Sequence, residues 1–175
     1  MNWYENVYEL IDMRSFSNLW YWIALAVTWS TASHWVLGVP YDMVQRARVH
    51  GGQAAADVAA LVAINTRRIL FIAREAGIWI VALGGFGGSL LLTLGFGYGS
   101  EFCQAVFLLG APFALVSLIS VRTAHLIERR APVDEALYRM LRMHRLSVQF
   151  VGIVSIFVTA MWGMWQNMQI GVLGG

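Results

Sequence analysis

Four apolar runs dominate the pattern of the chain, and each is close to the length that crosses a bilayer. They cover residues 19–37, 78–94, 102–121 and 146–165. A transmembrane helix needs about 20 consecutive, mostly apolar residues. The segments between the runs are charged and too short to form a separate soluble domain. The pattern therefore predicts an all-α integral membrane protein, a small bundle of four transmembrane helices that forms one domain over residues 1–175.

Two further segments show helical spacing of apolar residues outside these runs. In residues 1–16 an apolar aromatic face is opposed by an acidic face, which predicts a helix lying in the membrane interface. Residues 53–72 follow the helix-breaking pair Gly51-Gly52 and predict an amphipathic helix that leads into the second run. The positions at helical spacing in this second helix are Val58, Leu61, Val62, Asn65, Ile69 and Ile72.

Small residues interrupt the second apolar run. Gly84 and Gly88, and also Gly85 and Ser89, stand four residues apart and would lie on one side of a helix. In lipid, helices associate through close packing, and small residues at this spacing mark a packing face. A quinone ring, carotenoid or porphyrin edge that lay against the helix backbone would also require small residues at these positions. We interpret the four residues as a helix-packing site, with a bound cofactor as the alternative.

The distribution of arginine predicts the orientation of the chain. All twelve basic residues are Arg, and eleven of them fall in residues 38–77 and 122–145. By the positive-inside rule, the arginine-rich segments 41–75 and 122–145 face the cytoplasm and both termini face the periplasm of a bacterial inner membrane. Guanidinium groups suit contact with lipid phosphate or with carboxylates of a partner protein. The candidates at the membrane edges are Arg67, Arg68, Arg74, Arg122, Arg129 and Arg130.

Composition supports a membrane protein and limits its chemistry. The 175 residues are 58% hydrophobic and 13% charged, and the mean hydropathy is +0.60. Such a chain is too apolar for an ordinary soluble domain. The single Cys103 excludes an internal disulfide and any iron–sulfur cluster held by cysteines of one chain. A nucleic-acid partner is not expected; the expected partners are the bilayer and another membrane protein.

Histidine is the one residue type that could ligate a cofactor at the membrane boundary. No nucleotide-binding, metalloprotease or hydrolase motif occurs, so we expect no enzyme activity. His34 and His125 stand at the predicted cytoplasmic ends of the first and third runs. A haem held by two imidazoles needs histidines at matching depth on different helices. These two residues are therefore candidates for a haem or quinone site, although no carboxylate or cysteine at ligand spacing favours a metal ion.

Three stretches in the first third of the chain resemble a known family. They are Leu10 to Trp20, Ser33 to Asp42, and His50-Gly51-Gly52-Gln53. They are similar to an uncharacterised family of small polytopic inner-membrane proteins from alphaproteobacteria. Some members carry an automatic label as a component of the Suf iron–sulfur assembly complex, which one cysteine per chain does not support. The resemblance implies a bacterial inner membrane, in a group rich in respiratory and photosynthetic complexes.

Two functions are compatible with these features. The first is a non-catalytic accessory, scaffold or assembly subunit of a larger energy-transducing inner-membrane complex, respiratory or photosynthetic. The second is a redox membrane anchor that binds haem or quinone near His34 and His125. We expect the first, with no cofactor bound by ligation and with lipid or quinone as the open alternatives.

Overall fold

The computed structural model of the chain is helical almost throughout. It describes Phe16 and residues 19–173, with side chains described as far as residue 168. The interfacial helix predicted over residues 1–16 lies outside the described residues, apart from Phe16 at its end. The all-α prediction is confirmed for the described part of the chain.

Six α-helices follow one another in the described residues. They are α1 (Leu19–His34), α2 (Tyr41–His50), α3 (Gly52–Glu75), α4 (Gly77–Leu92), α5 (Glu101–Arg130) and α6 (Asp134–Leu173). A short antiparallel hairpin, β1 (Trp35–Val36) and β2 (Val39–Pro40), joins α1 to α2. A π-helical turn, Thr93–Gly97, continues α4. The arginine-rich segments are thus helical: the first forms α2 and α3, and the second forms the end of α5 and the start of α6.

Three of the four predicted spans are helices long and apolar enough to cross a membrane. These are Gly77–Gly97, Glu101–Arg130 and Asp134–Met168. Helix α1 does not meet the same criterion, because its 16 residues extend for about 24 Å at about 1.5 Å per residue. The hydrocarbon core is about 30 Å thick. Length and composition therefore support three of the four predicted spans among the described residues, and α1 is the one that they do not support.

The hairpin after α1 explains why this helix is short. Leu37 and Gly38 have φ values of 50° and 75°, and positive φ at both central residues is the condition for a type I′ hairpin turn. Asn65 of α3 donates a hydrogen bond from Nδ2 to the Gly38 carbonyl oxygen at 3.2 Å. A Cβ at Gly38 would lie 3.0 Å from the same Nδ2 atom. The positive φ therefore favours glycine here, and a Cβ would also force the Asn65 side chain to shift.

The structure divides into two units, each with its own apolar core. One comprises Trp29–Val81 and Leu115–Val151; the other comprises the described residues of Met1–Thr28, with Ala82–Ala114 and Gly152–Gly175. The core of the first unit joins the hairpin to helices α2, α3, α5 and α6. Its buried residues are Val36, Leu37, Val39, Val44, Ala47, Val58, Val62, Ile127, Leu137 and Leu141.

The second unit has a smaller core with a polar centre. Phe16, Tyr21 and Ala105 are buried together, and the Tyr21 hydroxyl donates to the Ala105 carbonyl oxygen at 3.2 Å. Beside them, buried Gln104 donates from Nε2 to the Gly95 carbonyl oxygen at 2.8 Å. Its Oε1 accepts from Trp162 Nε1 at 2.9 Å and from Gln166 Nε2 at 2.7 Å. This network links the π-helical turn to α5 and α6.

Candidate functional site: the glycine face of helix α4

Helix α4 has one face of small residues and an opposite face of bulky ones. Because successive residues are rotated by about 100°, the predicted packing residues share one side, here called the glycine face. It consists of Gly84, Gly85, Gly88 and Ser89, and Leu92 continues it by one turn. The opposite side carries Leu83, Phe86 and Leu90, and Phe86 is 71% exposed. Small residues are thus concentrated in the middle of one side of the helix, where Val81 and Leu92 bound them one turn before and one turn after.

The glycine face is open. A Cβ built on Gly84, Gly85 or Gly88 would meet nothing within 4 Å, and no residue of α4 is buried. The hydroxyl of Ser89 donates to the Gly85 carbonyl oxygen of the same helix at 2.8 Å. The face therefore presents backbone and a satisfied hydroxyl, without any unpaired polar side chain that lipid would exclude.

The predicted interface arginines have different surroundings. Arg74 donates from Nη2 to Glu128 Oε2 at 2.7 Å and joins α3 to α5. Arg67 bonds from Nε to the Ala63 carbonyl oxygen at 3.4 Å, within its own helix. The remaining four are exposed and have no hydrogen bond or ion pair among the described residues; they are Arg68, Arg122, Arg129 and Arg130. They are free to contact lipid phosphate or an acidic partner surface.

His34 and His125 lie in different surroundings. His34 packs edge-on against the ring of Trp35 at 6.0 Å and lines an open pocket of about 390 Å³ with Ser33 and Arg145. His125 Nδ1 is 3.9 Å from Glu128 Oε2, the carboxylate that also binds Arg74. No contact in the described chain joins the two histidines. The pocket at His34 is polar and shallow, and the described residues contain no group of three or more His, Cys, Asp and Glu that could hold a metal ion.

Two polar arrangements in the structure have no recognisable signal in the sequence. Gln104 lies near the start of an apolar run and gives no motif, so its buried network could be recognised only once Gly95, Trp162 and Gln166 were brought together. The second is a pocket between α2 and α6 that contains Arg48, Arg142 and Arg145. The sequence shows these three arginines as charged residues. Their positions on one side of α2 and one side of α6 define a cavity only when the fold places the two helices side by side.

The chain was compared with family models, characterised proteins and solved structures. No family model, no characterised protein and no solved structure matches it. The resemblance to a family of small alphaproteobacterial inner-membrane proteins accordingly stays a prediction.

Proposed function

We propose that the protein is a non-catalytic accessory or assembly subunit of a larger bacterial inner-membrane complex, and that it docks on this complex through the glycine face of α4. The observation that carries the proposal is the open state of that face within a helix long and apolar enough to span. Close backbone approach is a main source of helix association in lipid. The glycine face allows such close approach and is open within the described chain, so it can pack against a transmembrane helix of a partner protein.

The chemistry of the described residues also favours a docking role. The exposed arginines in the C-terminal parts of α3 and α5 would add contacts to acidic groups of the partner or to lipid phosphates. The sequence resemblance favours a respiratory or photosynthetic complex as the assembly. In this proposal the two long arginine-rich segments face the cytoplasm, and the C-terminus faces the periplasm.

The docking proposal is tested by replacing Gly84 and Gly88 together with Leu. Two Leu side chains would prevent close approach of a partner helix. Proteins that co-purify with the wild-type protein from solubilised native membranes should therefore be absent from preparations of the double variant. Because a Cβ at either position meets nothing within the chain, the melting temperature of the protein itself should not fall. Gly110→Leu is the matched control, since Gly110 is an equally open glycine on α5. Unchanged co-purification of the double variant would overturn the proposal.

The alternative is a redox anchor with haem or quinone near His34 and His125. Its support is the pocket beside His34. An absorption spectrum of protein purified from its native membrane distinguishes the two functions. The docking proposal expects no Soret band, whereas stoichiometric haem absorbance that disappears in His34→Ala would establish the anchor instead.

A further inference from the structure

A pocket of about 400 Å³ lies between α2 and the first half of α6. Each helix contributes one polar face, with residues spaced four and then three positions apart, so that they lie on one side of the helix. The polar lining residues are Tyr41, Gln45 and Arg48 from α2 and Tyr138, Arg142 and Arg145 from α6; Val44 and Leu146 complete the lining. The two faces bring three arginines and two tyrosines to one cavity.

Contacts at both ends of the pocket fix its shape. At one end, Arg48 Nε donates to Glu135 Oε1 at 3.1 Å. At the other end, the Arg145 guanidinium carbon lies 3.9 Å above the centre of the Tyr41 ring. Arg145 Nε also donates to the Ser33 carbonyl oxygen at 3.3 Å. These bonds use only the Nε–H groups of the two arginines, so their terminal NH₂ groups remain available as donors.

The charge within the pocket is not balanced by the protein. Three arginines line it, whereas Glu135 is the one carboxylate that contacts any of them among the described residues. Arg142 is exposed and takes part in no hydrogen bond or ion pair in the described chain. Like charges gathered in a cleft raise the local concentration of the opposite ion. The arrangement favours an anion with several oxygen atoms between the guanidinium groups.

We propose that this pocket binds a phosphate group, carried by the headgroup of an anionic phospholipid. Guanidinium groups bind phosphate through paired, charge-assisted hydrogen bonds. Arg145 is the last charged residue of α6, and Leu146 lines the same pocket. One turn further, the Phe150 side chain is 68% exposed. An apolar surface for acyl chains therefore begins where the cationic pocket ends, which is the order of groups in a phospholipid.

The test measures binding of dioctanoyl phosphatidylglycerol to the full-length protein in a neutral detergent, by isothermal titration calorimetry. Arg142→Gln should weaken binding about tenfold, as expected for the loss of one charge-assisted hydrogen bond. Arg139→Gln is the matched control: it removes the same charge from the same helix, but Arg139 does not line the pocket. This control should change affinity less than about twofold. Tyr138→Phe, which removes one hydroxyl from the pocket and keeps the ring, should also weaken binding.

Inorganic phosphate is titrated in parallel to identify the source of the phosphate group. Binding of the lipid but not of inorganic phosphate supports the lipid headgroup. Equal binding of both, with the same loss in Arg142→Gln, supports a phosphate site but overturns the lipid as its source. If neither probe binds, or if Arg139→Gln weakens binding as much as Arg142→Gln does, the site is overturned.

Discussion

At the scale of residues, helical spacing in α3 predicted part of the buried stripe but neither its centre nor its end, since Ile72 is 43% exposed. Val58 and Val62 of α3 are buried as predicted, and the stripe continues through Thr66 and Leu70 at steps of four. Which residues of α3 lie at the centre of the buried stripe depends on the helices that pack against α3. The sequence of one helix does not specify those neighbours. Arg74 binds Glu128 of α5, and adjacent positions on a helix do not face each other, so the neighbouring Glu75 is not its natural partner.

Gly95 offers a sharp prediction at this scale. A Cβ at Gly95 would lie 2.9 Å from the backbone nitrogen of Gln104, whereas one at Gly97 would approach only a methyl group of Thr93, at 3.9 Å. Gly95→Ala should therefore force the π-helical turn away from α5 and destabilise the protein by about 1–3 kcal/mol. Gly97→Ala should be close to neutral. Thermal unfolding in detergent measures both, and equal melting temperatures of the two variants would contradict the close packing at Gly95.

At the scale of elements, the sequence predicted the long apolar helices well and the boundaries of the polar segments poorly. The runs at 102–121 and 146–165 lie inside α5 and α6, and the run at 78–94 covers nearly all of α4 and the start of the π-helical turn. A continuous apolar run determines a helix in lipid. Helices α5 and α6 extend well beyond these runs into the arginine-rich region, leaving only residues 131–133 between them. Charged helical segments lack the strong hydropathy signal that marks a span. The π-helical turn after α4 likewise depends on its contact with Gln104, which no local pattern encodes.

The short helix α1 leads to a prediction about topology. If α1 crosses the membrane despite its 16 residues, local thinning of the bilayer must accommodate it, and the N-terminus lies in the periplasm with the C-terminus. If α1 lies on the cytoplasmic face, the two termini are on opposite sides. We propose the first arrangement, because the segment before α1 contains only Arg14 as a basic residue. Reporter fusions at both termini should both give periplasmic signals; a cytoplasmic signal at the N-terminus alone would leave three spans.

At the scale of the whole molecule, the sequence predicted a membrane protein but could not distinguish an internal packing face from an external one. The small residues of α4 were recognisable from their spacing alone. Whether they pack against this chain depends on how far its other helices approach, which is a property of the fold. A Cβ at Gly84, Gly85 or Gly88 would meet nothing within 4 Å in the described chain, and this openness supports the proposed contact with a partner helix.

Photo-cross-linking from α4 tests the docking role most directly. Leu92 lies on the glycine face and Leu90 on the opposite face, two residues apart, and both side chains are 47% exposed. A benzophenone amino acid at position 92 therefore probes the glycine face, and one at position 90 probes the opposite face at nearly the same depth in the membrane. In native membranes, Leu92 should give a discrete protein adduct that Gly84→Leu/Gly88→Leu removes, while Leu90 should give only lipid adducts. Protein adducts of equal yield from both positions, or none from Leu92, would contradict docking through the glycine face.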